Sequence, residues 1–379
     1  MEEQSRLLFK KHFDSLPDPR IDRCKRHKLL DILVIAICST ICGADSWTEM
    51  ELFGESKEEW FRTFLELPNG IPSHDTFRRV FMLLDPRKFG ECFMNWTAAL
   101  NSNTNKEIIA LDGKTIRHSF DVASEQSALH IVSAWSSTNN ISLGQIRVEN
   151  KSNEITAIPK LLDILDVSGA IVTIDAIGCQ KEIASKVIEN DADYVLCLKG
   201  NQGNLHEDVE LFFQTQKSNN FNDEEFNFSV YETTDGEHGR IEIRRYYTTN
   251  DIEWLGADAV WRNIGSIGMV ERERTVGGKT SFETNYYISS LTSNAEVFAD
   301  AVRNHWGIEN SLHWVLDMAF REDESRILKD NSPENFALLR KIALNLLKKD
   351  ASLKVGIKAK RLKCGWDHNY LLRVLFGGF

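Results

Sequence analysis

Apolar positions along this chain change their period, and each change marks a different kind of structure. Over residues 29–41 they are nearly continuous, broken by Asp31; over 48–67 they recur at Met50, Phe53, Trp60, Phe61 and Phe64 with helix-like spacing. Pro68-Asn69-Gly70-Ile71-Pro72 then breaks the chain. Ser73 stands where a side chain can cap a new helix through Phe77, Val80, Phe81 and Leu84, which Asp85-Pro86 ends. Helix, short turn and capped helix is the outline of a helix-turn-helix, with Arg78 and Arg79 available to face DNA. An ordinary helical hairpin has the same outline.

From 107 the pattern turns to α/β alternation. Short apolar strands are expected at 107–111, 128–136 and 141–148, the last two joined by a hairpin turn at Thr138-Asn139-Asn140. A helix (154–165), a strand (170–175), a helix (180–189), a strand (193–198) and a further helix from about Asn204 follow. Three leading strands followed by alternating helix and strand imply a mixed sheet packed by helices. Residues 226–234, 240–249, 260–273 and 280–290 are β-rich, with turns at Asp235-Gly236 and Gly277-Gly278, and read as an inserted antiparallel segment. Helices return behind Asn294, a candidate cap, through Ala299, Val302, Trp306, Leu312 and Leu316. The expected division is a helical DNA-binding region (1–100), the first part of an α/β core (101–215), a β-rich insertion (216–292) and the rest of the core with basic C-terminal helices (293–379).

With 379 residues, 42% hydrophobic and 27% charged, the chain can bury two or three domain cores. It has no apolar run of about eighteen residues, the length that spans a bilayer. Its start, Met1-Glu2-Glu3-Gln4, lacks the basic flank and apolar core of a signal peptide, so no membrane partner and a cytoplasmic address are expected. Seven cysteines lie scattered, without a CxxC pair or a histidine cluster at zinc spacing, and read as reduced thiols. Cys38 and Cys42 fit small buried side chains on one helix.

The net charge of −11 speaks against a nucleic-acid partner, since backbone contact needs cations. Its distribution changes the picture. Residues 338–379 carry Arg340, Lys341, Lys348, Lys349, Lys354, Lys358, Lys360, Arg361, Lys363 and Arg373 against only Asp350 and Asp367. Arg20, Arg23, Lys25, Arg26 and Lys28 form a second cluster, while 201–258 is rich in Asp and Glu. Such segregation suits a protein with one DNA-facing side; solvated charged faces would look alike.

Cutting a phosphodiester without a covalent protein intermediate needs an activated hydroxyl and a neutralised leaving oxygen, which two divalent ions roughly 3.5–4 Å apart can supply. Magnesium favours a few convergent carboxylates. Asp112 follows Ile108-Ile109-Ala110-Leu111 and Asp175 follows Ile171-Val172-Thr173-Ile174, so each ends a buried strand, where a carboxylate needs a partner or a metal. Each could equally cap the next turn. Glu309 lies on an expected helix with His305 and His313 one turn to either side, an unusual set for a solvated face, though an amphipathic helix with satisfied polar groups remains open. Lys199-Gly200-Asn201-Gln202-Gly203 lacks the spacing of a phosphate loop and reads as a turn. Strand alternation puts Arg240, Glu242 and Arg244 on one face, for DNA or for a salt-bridged surface.

The strings IIALDGKTIRHS, KSNEITAIPKLLDIL, IVTIDAIGCQKEIA, YVLCLKGNQGNL, HGRIEIR and NHWGIENSLHW, in this order, resemble the H-repeat-associated transposases, a DDE family of bacterial insertion sequences, and the similarity runs from about Phe13 to Tyr370. The resemblance implies a ribonuclease-H-like core with a β-rich insertion before the last acid. It also implies Mg²⁺-dependent cleavage, with Mn²⁺ able to substitute, at transposon ends of double-stranded DNA. The family's acids fall on Asp112, Asp175 and Glu309. Many related transposases carry Tyr, Arg and Lys around the glutamate where this chain has Val302, His305 and Leu316, so His305 stands in for the Arg in holding DNA and the Lys is missing. Should Glu309 lie elsewhere, Asp317 and Glu322 are the acids to consider.

Joining two DNA ends to a target calls for a homodimer or a larger synaptic complex. Two other readings fit the same residues: a ribonuclease-H-like nuclease without strand transfer, which joining products on a target plasmid would separate, and a catalytically inert DNA-binding remnant, against which the three acids speak.

Overall fold

The apolar run after Lys28 becomes helix α1 (Leu29–Cys42) in the computed structural model, which describes residues 10–100, 106–120, 127–149, 153–221, 223, 225–237, 239–256 and 260–377. The start Met1-Glu2-Glu3-Gln4, from which an address was expected, lies outside the described residues, as do 101–105, 151 and 152. Helix α1 is buried on all sides from Asp31 to Ile41, as a helix enclosed by others must be. Gly43, at φ +116°, ends it in the left-handed conformation and donates to the Ser39 and Thr40 carbonyls. Asp31, the polar interruption, is buried and accepts the Leu67 N–H at 3.1 Å; burial raises its carboxyl pKa.

The helix expected over 48–67 is broken at Lys57 into α2 (Trp47–Ser56), which starts on a Ser46/Glu49 capping box, and the single turn α3 (Glu58–Phe61). Helix α4 (His74–Leu83) follows the proline turn, and Pro86 opens α5 (Pro86–Leu100). Ser73 holds the N-cap position without capping: its hydroxyl pairs with Thr76, and Glu51 takes the His74 N–H at 2.9 Å.

Strand β1 (Ile108–Thr115), the hairpin β2 (His130–Ser136) and β3 (Ile141–Arg147), α6 (Glu154–Leu162), β4 (Ile171–Ile174), α7 (Lys181–Glu189), β5 (Asp193–Leu198) and α8 (Gly203–Ser218) realise the expected alternation. Then come β6 (Ser229–Glu237), β7 (Arg240–Thr249), β8 (Ser266–Val276) and β9 (Lys279–Ser289), followed by α9 (Ala295–Gly307), α10 (Trp314–Phe320), α11 (Ser332–Lys349), α12 (Ile357–Trp366) and α13 (His368–Phe376). No single helix among the described residues is long and apolar enough to cross a membrane.

The chain forms two compact units. One holds Asn103–Asp112 and Ser152–Ile308. In it β1 runs parallel to β4 and β4 to β5, and the meander β6–β9 joins antiparallel through β9, giving the order β1-β4-β5-β9-β8-β7-β6. The antiparallel strands thus continue the sheet rather than standing apart from it. Ile108, Ile171, Val195, Tyr246 and Val270 pack against Phe298, Ala299 and Val302 of α9 in its core. Asn294 caps α9 by accepting from Glu296 and Val297, as expected.

The other unit holds Met1–Ser102, Gly113–Lys151 and Glu309–Phe379. Helix α11 is its axis, buried over most of its length, with Asn345 bonding both the N–H and the carbonyl of Ser142 in β3. Here the expected basic face is partly overturned. Arg340, Lys341, Lys360 and Arg361 are all buried, because each serves the interior. Lys341 donates to Ser133 and Gln145, both at 2.7 Å, and Arg340 lies over the Phe336 ring. Lys360 donates to the carbonyls of Leu347 and Asp350 at the end of α11, and Arg361 to those of Thr40 and Ile41 at the end of α1. Arg20 is likewise buried on Asp18 and the His27 carbonyl. Exposed cations remain at Arg23, Lys25, Arg26, Lys28, Lys354, Lys358 and Arg373. All seven cysteines are free thiols: Cys38, Cys92, Cys179 and Cys364 buried, Cys42 and Cys197 half-buried, Cys24 exposed.

Candidate active site

Parallel pairing sets Leu111 opposite Ile174, so the next residues, Asp112 and Asp175, follow the paired segment at the same end; Asp175 leaves β4, whereas β1 runs on through Asp112 to Thr115 instead of ending there as expected. Both are half-buried. Asp175 Oδ1 accepts the N–H groups of Ile177 (3.1 Å) and Gly178 (3.3 Å), so it does cap its turn. Burial raises its pKa, and the negative charge of Asp112 pushes the same way against those hydrogen bonds. Of the readings left open by the sequence, the turn cap is the one these hydrogen bonds describe at Asp175. Gly178 has no room for a side chain, since a Cβ there would overlap Ile174.

Two residues of the turn that looked plain brace this loop. Asn201 donates to the Ala176 carbonyl at 2.7 Å and Gln202 to that of Cys179 at 2.5 Å, holding the segment after Asp175 from both sides. The signal that could have found them was the pair of amides at a strand end facing a second strand-end loop. On α9, His305 Nδ1 lies 3.1 Å from Thr173 Oγ1 of β4, half-buried rather than open to a ligand. Burial lowers its pKa, with the charge of Asp112 opposing.

The helix expected to carry Glu309 is not uniform. Helix α9 stops at Gly307, Ile308–His313 form a π turn, and α10 begins at Trp314. Even so, Glu309 Oε2 meets His313 Nδ1 at 3.2 Å. That hydrogen bond, ahead of the charges of His313 and Lys114, holds the Glu309 carboxyl below the ordinary glutamate range although burial works against it. Glu309 itself is exposed, whereas His313 is buried behind it. Val302 and Leu316, where related transposases have polar residues, are buried core positions here.

Beside Glu309 stands a charge cluster that sequence reasoning missed. Lys114, at the end of β1, donates to Asp317 and, at 3.1 Å, to Glu322, with the His313 carbonyl at 3.5 Å. Glu322 is buried; burial would raise its carboxyl, but Lys114, Arg340 and Lys341 hold it below the ordinary range. Burial pulls the Lys114 ammonium down while Glu322 and Asp317 more than restore it; burial raises the Asp317 carboxyl, with Lys114 opposing. Asp317 and Glu322, the reserve candidates for the third acid, are thus committed to Lys114.

Of the residues expected at DNA, Arg78 and Arg79 are exposed on α4, Arg78 paired to Asp75 at 3.3 Å. Arg240 and Arg244 surround Glu242, which is fully buried and also held by Arg272; Arg244 further binds Asp235 at 2.6 Å, which in turn binds Arg303 at 2.7 Å. Of the two readings of that strand face, the salt-bridged one describes its geometry.

Comparison with known proteins identifies the family. Residues 10–97 match the family described as DDE_Tnp_1-associated, and residues 103–346 the Transposase DDE domain. Over 371 residues the chain is 40% identical to "H repeat-associated putative transposase YhhI" of Escherichia coli strain K12, covering 97% of each chain. Over 368 residues it is 42% identical to "Putative transposase YncI" of Escherichia coli O157:H7, covering 95% of this chain and 92% of that one. A piggyBac transposase synaptic complex with hairpin DNA aligns with 98% of this chain and 80% of its own, at 11% identity and a TM-score of 0.47.

The chain belongs to the DDE transposases, enzymes with a ribonuclease-H-like mixed α/β core that act on DNA with a divalent metal. Within that class its relatives are the H repeat-associated transposases, as its ordered motifs implied. The side chains suit such an ion. They offer hard carboxylate oxygens, two of them at the same end of the paired segment of β1 and β4, where like charge adds to burial at Asp175, a cost that a bound cation relieves.

Proposed function

We propose that Asp112, Asp175 and Glu309 hold the divalent metal, Mg²⁺ with Mn²⁺ able to replace it, and that the protein cuts and rejoins the ends of an insertion sequence. It binds the terminal inverted repeats, hydrolyses phosphodiesters to free 3′-OH groups, and attacks target DNA with them. The observation that carries the reading is the position of Asp112 and Asp175 directly after the paired segment of two parallel strands, at its same end. Bound divalent ions supply Lewis acidity that makes a hydroxyl nucleophilic near neutral pH and neutralises the leaving oxygen. Asp112 and Asp175 contribute their carboxylates from rigid strands, the Asp175 turn being fixed by its own N–H bonds and by Asn201 and Gln202. His313 donates its Nδ1–H to Glu309 and so orients the third carboxylate.

Residues 1–100 serve as the recognition region, with Arg78 and Arg79 on α4 toward the repeat. Residues 101–215 and 293–379 make the catalytic core, and 216–292 are its β insertion. Two ends joined at one target require a homodimer or larger synapse.

A supercoiled plasmid carrying the element's own ends tests this directly. Cleavage and joined products should appear with Mg²⁺ or Mn²⁺ and vanish with EDTA; cleavage without joining would instead identify a nuclease. Asp112→Asn and Asp175→Asn keep side-chain size but remove an anionic oxygen, and each should lower cleavage by about 10³-fold, equivalent to several kcal/mol of charge stabilisation. Binding of the repeat in a gel shift should stay within about twofold of wild type, because phosphate and base contacts lie elsewhere. Cutting at wild-type rate by either variant would refute the assignment, and equal loss of cutting and binding would indicate misfolding.

A further inference from the structure

We infer that Lys114 is a positioning residue for the third carboxylate: a buried ion-pair tie that fixes the segment carrying Glu309 against the end of strand β1. The inference rests on the assignment of Glu309 to the metal site proposed above. Lys114 is two residues after Asp112, so strand alternation turns both side chains to one side of β1. Its ammonium reaches three successive points beyond Glu309: the His313 carbonyl (3.5 Å), the Asp317 carboxylate and, past α10, Glu322 (3.1 Å).

His313 is the residue that bonds Glu309, and Asp317 lies one turn further along α10. The tie therefore grips the backbone of the residue that orients the glutamate. A π turn is rare and stands mostly as a single-turn insertion within an α-helix, so the tie at Lys114 is a tertiary contact that can hold Ile308–His313 and present Glu309 in one place. Lys114 is only 13% exposed along its side chain and Glu322 3%, so the pair is shielded from salt. The charges of Arg340 and Lys341 on α11 also favour the Glu322 carboxylate. A lysine that only filled space would not need two carboxylates.

The test compares wild type with Lys114→Met, Lys114→Arg and Asp317→Asn. Mn²⁺ affinity is measured by calorimetry on the full chain, and Mg²⁺-started cleavage and repeat binding are measured alongside. Deleting a cation near carboxylates would by charge alone tighten Mn²⁺ binding. Lost positioning loosens it. For Lys114→Met the expected result is about fivefold weaker Mn²⁺ binding, at least tenfold slower cleavage at saturating DNA, and unchanged repeat affinity, with Lys114→Arg recovering most of both losses. Asp317→Asn removes the more exposed partner and should give the same pattern in weaker form, which keeps the test decisive if the methionine variant fails to fold. Unchanged or tighter Mn²⁺ binding in the variants would overturn the inference. A wild-type protein that binds Mn²⁺ but does not cut would overturn the cleavage reading alone, with Lys114 still judged by the affinities.

Discussion

Lys341 is a buried ammonium whose nearest polar partners, Ser133 and Gln145, are neutral. Burial lowers its pKa from the ordinary 10.5 to about 8, with Glu322 opposing. In the unfolded chain the same group holds its proton until about 10.5. Between those values unfolding takes up a proton, so stability should rise with pH from about 8 to 10.5 by as much as about 3 kcal/mol from this group. Half-buried Lys348, also lowered to about 8, acts in the same direction, so the measurement is a difference. Urea unfolding at pH 7 and pH 10 should show a smaller gain for Lys341→Met than for wild type; equal gains would mean that Lys341 titrates normally. Nothing in the local sequence reveals this lysine as interior, because the neighbours that bury it come from β2 and β3, some two hundred residues away.

Among the elements, those legible in advance were runs whose chemistry is local. Four consecutive buried residues at 108–111 and at 171–174, each followed by an aspartate, read as strands and are strands, in register with one another, although β1 continues past Asp112 to Thr115. Asn294 announced a cap and is one. The π turn at Ile308–His313 could not be read, since the apolar period through Trp306, Leu312 and Leu316 is compatible with an unbroken helix and the extra residue is accommodated only by tertiary packing. The break at Lys57 was hidden for the same reason. Helix ends also turned out to consume charge. Lys360 and Arg361 donate to the last carbonyls of α11 and α1, groups that a helix cannot satisfy by itself. Lys360→Met should therefore destabilise the fold by about 1–3 kcal/mol. Guanidinium unfolding would register the loss, and the repeat affinity at moderate denaturant-free salt should not change.

At the scale of the whole molecule, charge segregation looked like a DNA-facing side, and the structure divides that charge into two populations. Ten cations stand in 338–379, yet Arg340, Lys341, Lys360 and Arg361 are spent inside. Lys354 and Lys358 remain exposed with little acid near them in sequence. If phosphates meet this surface, Lys354→Ala and Lys358→Ala should each reduce the slope of log affinity against log salt by about 0.9, while Lys360→Met leaves the slope alone. Identical slopes in all three would remove this surface from the DNA contact. The division also explains why net charge is a poor guide to binding: the exposed cations, rather than the total, displace counterions.

The distribution of the thiols has a practical side. Burial pushes Cys42 up to about 12 and Cys197 up to about 11, and raises Cys38, Cys92, Cys179 and Cys364 as well, which leaves almost none of their reactive thiolate at neutral pH. Cys24 stands exposed among Arg23, Lys25 and Arg26. The natural chain thus carries its own attachment point for a fluorophore, set within a cationic patch, and whether DNA meets that patch can be tested without engineering a single residue.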